Sequence, residues 1–154
     1  MSRIKKILLS ILFVLIIIQF IQPAPNKTEQ LLPTDITKIC NVPDSIQNVL
    51  KTACYDCHSN NTNYPWYASV QPIGWMLNHH IQNGKKQLNF SDFGSYSVRR
   101  QKNKLKSMAS QITDGAMPLS SYSLMHKNAR LTKEVKSLII NWAQQSKGRI
   151  AVKN

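Results

Sequence analysis

The five residues Cys54-Tyr55-Asp56-Cys57-His58 constrain this chain more than any other feature, because they fix two thiols and an imidazole within a short stretch of backbone. The C-x-x-C-H spacing places both sulfurs where they can form thioethers to the two vinyl groups of a haem, and the adjacent histidine can turn a ring nitrogen onto the iron. The expectation is a single haem c, covalently held, with Cys54, Cys57 and His58 as cofactor-binding residues and His58 as an iron ligand. Other chemistries fit parts of the motif. A Cys₃His zinc site would recruit Cys40, but no second pair of ligands at metal-binding spacing accompanies it. A thioredoxin-like redox pair would sit in a βαβ pattern, which is missing here. A Cys54–Cys57 disulfide would close a very tight loop and leave His58 unexplained. Cys40 reads as a free, partly buried thiol.

The rest of the chain carries helical signals only. Ile46, Val49, Leu50 and Ala53 follow Pro43-Asp44 at i, i+3, i+4 and i+7, so a helix runs straight into the cysteine motif. Pro72 opens a second helix, with Ile73, Met76, Leu77, His80 and Ile81 on one stripe and Gly84 as its stop. A third follows Ser97, with Val98, Leu105, Met108 and Ile112 on its apolar side and Arg99, Arg100, Lys102, Lys104 and Lys106 over the remaining surface. The fourth starts from a Thr132 cap, runs through Val135, Leu138, Ile139, Trp142 and Ala143, and has Gly148 beyond it. No alternating strand pattern, hairpin turn or internal repeat competes. The fold class is all-α, a small cytochrome c-like helical domain around one haem. Four short helices give a modest core, and a bound macrocycle would supply the apolar area they lack. The aromatic-rich stretch from Ser59 to Val70 makes Tyr64, Trp66, Tyr67 and, further on, Trp75 candidates for the haem edge.

Ahead of this domain, Arg3, Lys5 and Lys6 precede an apolar run from Ile7 to Ile21, and Pro23 stops any helix there. Basic residues followed by apolar ones read as an export signal that leaves the N-terminus in the cytoplasm. Fifteen residues cover roughly 22 Å, short of the ~30 Å hydrocarbon core, which suits a signal segment. No clear small-x-small cleavage site follows, which favours an uncleaved anchor. The organisation is then residues 1–22 as signal or anchor, 23–40 as a Pro-rich tether and 41–150 as the haem-binding domain. The expected location is the periplasmic face of the bacterial inner membrane, or the periplasm if the signal is cleaved.

The run from Cys54 to Phe90, then GAMPLSSYSLMHKNARLT and a Trp-containing last helix, closely resembles the haem-binding domain family of small exported bacterial proteins. Its most specific elements are CHSNNTNYPWY (Cys57 to Tyr67), LNF (Leu88 to Phe90), MPLSSY (Met117 to Tyr122) and the pattern His126, Ala129, Leu131-Thr132. The resemblance covers about residues 40 to 145. It implies a monohaem c-type cytochrome-like domain and no particular substrate or partner.

Function depends on what fills the iron's sixth position. A protein ligand there makes an electron carrier, whereas an open position permits gas or peroxide chemistry. The expected distal ligand is Met117, in Asp114-Gly115-Ala116-Met117-Pro118, where Gly115 permits a bend and Pro118 favours an extended Met117. His80 is the rival, giving bis-histidine ligation. His79 reads as solvated and His126 as structural. The leading reading is a membrane-tethered electron-transfer protein rather than an enzyme; the alternatives are a haem-based sensor or a peroxidase-like enzyme. A formal net charge of +13, with the Arg99-to-Lys106 cluster, points to an acidic redox partner or anionic lipid. A compartment outside the cytoplasm argues against nucleic acid.

Overall fold

The computed structural model describes residues 2–28, 30 and 32–150, and within them the chain is helical with no strand. Helix α1 spans Arg3–Ile18 and α2 Ile36–Ile39; α3 covers Asp44–Ala53 and α4 the single turn Tyr55–His58. Then come α5 (Ile73–Gln87), α6 (Val98–Thr113), α7 (Ser120–Met125) and α8 (Lys133–Arg149), with three short 3₁₀ turns between them.

The starts of the long helices follow from their caps. Ser97 accepts from the Arg100 amide and Thr132 from the Val135 amide, so each hydroxyl satisfies a donor that its helix leaves free. The buried faces follow from helical spacing: Ile46, Leu50 and Ala53 on α3, Leu105, Met108, Ala109 and Ile112 on α6, Ile139, Trp142 and Ala143 on α8. The α6–α8 pair forms the broadest helix contact. The α3 face, with Phe90 and Phe93 buried beside it, completes the core.

Two glycines expected at helix ends lie inside helices. Gly84 sits within α5, which continues to Gln87, and Gly148 sits within α8, which ends at Arg149. The α5 stripe also differs from its expected burial. Leu77 and Ile81 are buried, but Ile73 and Met76 are exposed, because in the first turn it is Gly74 that faces the protein, against Ala68 and Gln71.

The stretch expected to be a tether is bonded to the domain over much of its length. Ile36 and Asp35 are fully buried, the Ile36 amide donates to the Phe90 carbonyl at 2.9 Å, and the Gly94 amide donates to the Thr34 carbonyl at 2.7 Å. Cys40 is likewise buried and unpaired in the core. The folded unit therefore begins ahead of Asn41. Composition hid this, because α2 is a single turn with too few residues to show a period.

Helix α1 buries none of its residues. Its 16 residues are about 24 Å long at the helical rise per residue. Among the described residues no helix is long and apolar enough to cross a membrane.

Candidate functional site

Cys54 is the hinge between α3 and α4. Its amide still donates to the Leu50 carbonyl, while its own carbonyl accepts from the amides of Cys57 (3.2 Å) and His58 (2.9 Å). Both thiols and the imidazole are thereby gathered on one turn.

The segment Leu88-Asn89-Phe90 fixes that turn from the other side. The His58 ring nitrogen Nδ1 lies 2.9 Å from the Leu88 carbonyl oxygen. A carbonyl only accepts, so Nδ1 carries the proton and Nε2 is left with the lone pair that a metal needs. The Phe90 amide donates to the His58 carbonyl at 2.7 Å. Burial lowers the His58 pKa, opposed by the carbonyls of Leu88 and Gly84, and the neutral imidazole is the form able to ligate.

Helix α5 packs closely against α4, and Gly84 makes that approach possible. A Cβ at position 84 would lie 2.5 Å from the Cys57 carbonyl oxygen. Only hydrogen fits there.

Cys54 and Cys57 are unpaired. Burial, then the nearby Cys57, pushes the Cys54 thiol up to about 12; burial, then Asp56, pushes Cys57 up to about 11. A redox-active pair depends on a lowered thiol pKa, so the arrangement is unlike a thioredoxin site. Among the described residues no three His, Cys, Asp or Glu side chains are placed to hold a metal ion together.

Two adjoining cavities of about 340 and 280 Å³ flank the motif, sharing Ala53, Cys54, His58, Gln87, Met117 and Pro118 as walls. Leu88, Phe90, Met108, Ile112 and Leu131 close the first, with Lys104, Ser107 and Gln111 as its polar side. The second adds Asp56, Cys57, His80, Asn83, Gly84, Leu119 and Tyr122. Taken together, the two adjoining cavities fall in the size range of cofactor sites. Free thiols, a neutral imidazole with its tautomer fixed, a thioether and largely apolar walls are a donor set that fits a haem.

Met117 and His58 line both cavities, whereas His80 lines only the second. Gly115 has φ +70°, and the amides of Ala116 and Met117 both donate to the Gln111 carbonyl (3.0 and 3.2 Å), which folds the loop back over the end of α6. Of the other methionines, Met108 is a buried wall of the first cavity, and Met76 and Met125 are exposed and line neither.

The aromatics expected at the haem edge are elsewhere. None of Tyr64, Trp66, Tyr67 and Trp75 lines either cavity. Tyr64 accepts from the Asn26 amide, Tyr67 bonds His126 Nε2 at 2.7 Å, and Trp75 donates to the Ile21 carbonyl. Phe90 and Tyr122 take the places at the cavity walls. The Tyr122 hydroxyl donates to Asp56 at 2.6 Å, and its ring stacks on His126 with centroids 4.3 Å apart. Asp56 was legible only as an unassigned position of the motif, and the Leu88 carbonyl, a backbone group, carries no side-chain signal at all.

A family model described as a haem-binding domain matches residues 13–145 of the chain. No curated protein and no solved structure matches it.

Proposed function

Because this chain belongs to the haem-binding domain family, we propose that it holds a single haem covalently through Cys54 and Cys57 and works as an electron-transfer protein at the outer face of the cytoplasmic membrane. His58, next to the attachment cysteines, and Met117, from the loop before α7, would be the two residues that hold its iron. The observation that carries this reading is that Met117 shares both cavities with Cys54 and His58, while Cys57 borders the second. The haem, when bound, supplies a one-electron iron couple whose potential its axial ligands set. The chain's own residues do the rest. Leu88 holds the proximal tautomer, the Gln111 carbonyl holds the Met117 loop, and the apolar walls keep water from the metal.

A carrier is favoured over a haem enzyme by how the groups near the motif are engaged. Catalysis at the iron calls for a placed acid or base; His126 is engaged by Tyr67 and Tyr122, His79 by Asn83, and Asp56 by Tyr122 and the Asn63 amide, while His80, which borders the second cavity, is the rival iron ligand. The membrane location rests on the basic start and the apolar, unburied α1. An acidic redox partner would complement the basic residues of α6.

The test is the mass and pyridine-haemochrome spectrum of the chain produced with a haem-attachment system. One haem that survives denaturation, and its loss in Cys54→Ala/Cys57→Ala, are expected. An apoprotein mass with zinc near one per chain would overturn the proposal.

A further inference from the structure

The segment joining α1 to the domain is locked in place. Gln19 exchanges two hydrogen bonds with the Gln71 backbone, its side-chain amide donating to the carbonyl at 3.1 Å and its side-chain carbonyl accepting from the amide at 2.9 Å. The Gln22 side chain donates to the Ser69 carbonyl at 3.0 Å and accepts from the Gln71 side chain at 2.8 Å. Trp75 Nε1 donates to the Ile21 carbonyl at 2.8 Å. Each of these joins the foot of α1 to residues 69–75. Further along, Asn26 donates to the Ser59 carbonyl and the Thr62 hydroxyl, directly after the haem motif.

Beside this latch the surface is apolar and uncovered. Trp66 is 79 % exposed, Met76 53 %, Ile73 42 % and Val70 40 %, and on the α1 side Phe20 is 85 % and Ile21 57 % exposed. Trp66 begins the 3₁₀ turn that ends at Ser69, and Ile73 and Met76 share one face of the first turn of α5.

Resting on the membrane-anchor reading above, we propose that Trp66, Val70, Ile73 and Met76 form a second membrane contact that sits in the headgroup region of the bilayer. The occupant is lipid because the patch is bonded to the end of a helix that from Ile7 onward is apolar on every side apart from Ser10 and buries nothing in protein. The lengths agree with this. At about 24 Å, α1 falls short of the ~30 Å hydrocarbon core. A short anchor is accommodated by local thinning of the bilayer, which brings the groups flanking it close to the headgroups, and the latch holds apolar groups at that end. Trp66 is the side-chain type enriched at that depth, with an apolar ring and one polar N–H. The haem motif is thereby held at a fixed height and orientation, without the freedom of a flexible tether.

The experiment places the full-length holoprotein in phosphatidylcholine nanodiscs containing a lipid-soluble diazirine photolabel and maps the label by mass spectrometry. Residues 66–76 should be labelled several-fold more than Leu138 on α8, which is exposed to a similar degree at 48 %. In Gln19→Ala/Gln22→Ala the label on 66–76 should fall towards the Leu138 level, while that on residues 7–18 stays. Label confined to residues 3–21 overturns the second contact and leaves the anchor reading intact. Label on neither segment overturns both. Cross-links between two copies through residues 66–76, in place of label, overturn it in favour of a dimer face.

Discussion

The Tyr122 hydroxyl donates a 2.6 Å hydrogen bond to the Asp56 carboxylate, so the helix that follows Met117 is tied directly to the middle of the Cys54–His58 motif. Asp56 also accepts from the Asn63 amide at 2.9 Å. One carboxylate thus joins the α7 segment, the Cys54–His58 turn and the loop after it.

Removing that tie should loosen the α7 side. A hydrogen bond to a charged group contributes about 1.5–3 kcal/mol when buried, and this half-buried one should contribute about 1–2 kcal/mol. Tyr122→Phe is expected to lower the urea midpoint of the holoprotein accordingly, with its haem content unchanged. An unaltered midpoint would show that the contact is idle.

Met117→Ala should abolish the near-infrared band that reports sulfur–iron charge transfer in the oxidised protein. It should also open the iron to carbon monoxide. If the band persists in the mutant, or never occurs in the wild type, Met117 is not the ligand; a bis-histidine spectrum lost in His80→Ala would give the position to His80.

Gly84 and Gly148 are both helical, and the same substitution should act on them with opposite sign. At Gly84 an added Cβ meets the Cys57 backbone, a group that cannot swing aside. Overpacking of this kind costs about 1–3 kcal/mol and exceeds the ~1 kcal/mol helix-propensity gain of alanine. At Gly148 nothing lies within 4 Å, so Gly148→Ala should stabilise by about 0.5 kcal/mol, less than a mid-helix site because it is near the end of α8. Thermal melts of the two variants decide it.

Burial pushes the Cys40 thiol up from the ordinary 9.0 to about 11. A pKa raised in the folded state contributes stability that is fully present below 9.0 and is lost as pH rises towards about 11. Cys40 should resist iodoacetamide at pH 8 until the protein is unfolded. In Cys40→Ala, the stability lost over that alkaline window should be smaller than in the wild type.

The basic residues of α6 are not equivalent. Arg100 lies over the Tyr96 ring at 4.3 Å and Lys104 lines the first cavity, whereas Arg99 and Lys106 are exposed. Arg99→Glu/Lys106→Glu should therefore slow reduction by an acidic partner at low salt, with little effect on stability, and the difference should shrink as salt is added. Equal rates at every ionic strength would rule this face out.

The sequence alone determined the features that are local in the chain. Helical spacing and caps located α3, α6 and α8, because apolar periodicity and a capping hydroxyl act within a few residues. The motif named both thiols and His58, and the Gly115 bend before Met117 was legible because a positive φ selects glycine. Contacts between distant segments were decided only by tertiary structure. Gly84 reads as a helix stop until the Cys57 carbonyl is seen against it, and Ile36 reads as tether until Phe90 pairs with it. The aromatics of the 59–70 loop looked like cofactor walls, but hydrogen bonds to Asn26 and His126 direct Tyr64 and Tyr67 elsewhere. A polar group's partner depends on which backbone folding brings within about 3 Å of it, and spacing along one chain does not encode that distance.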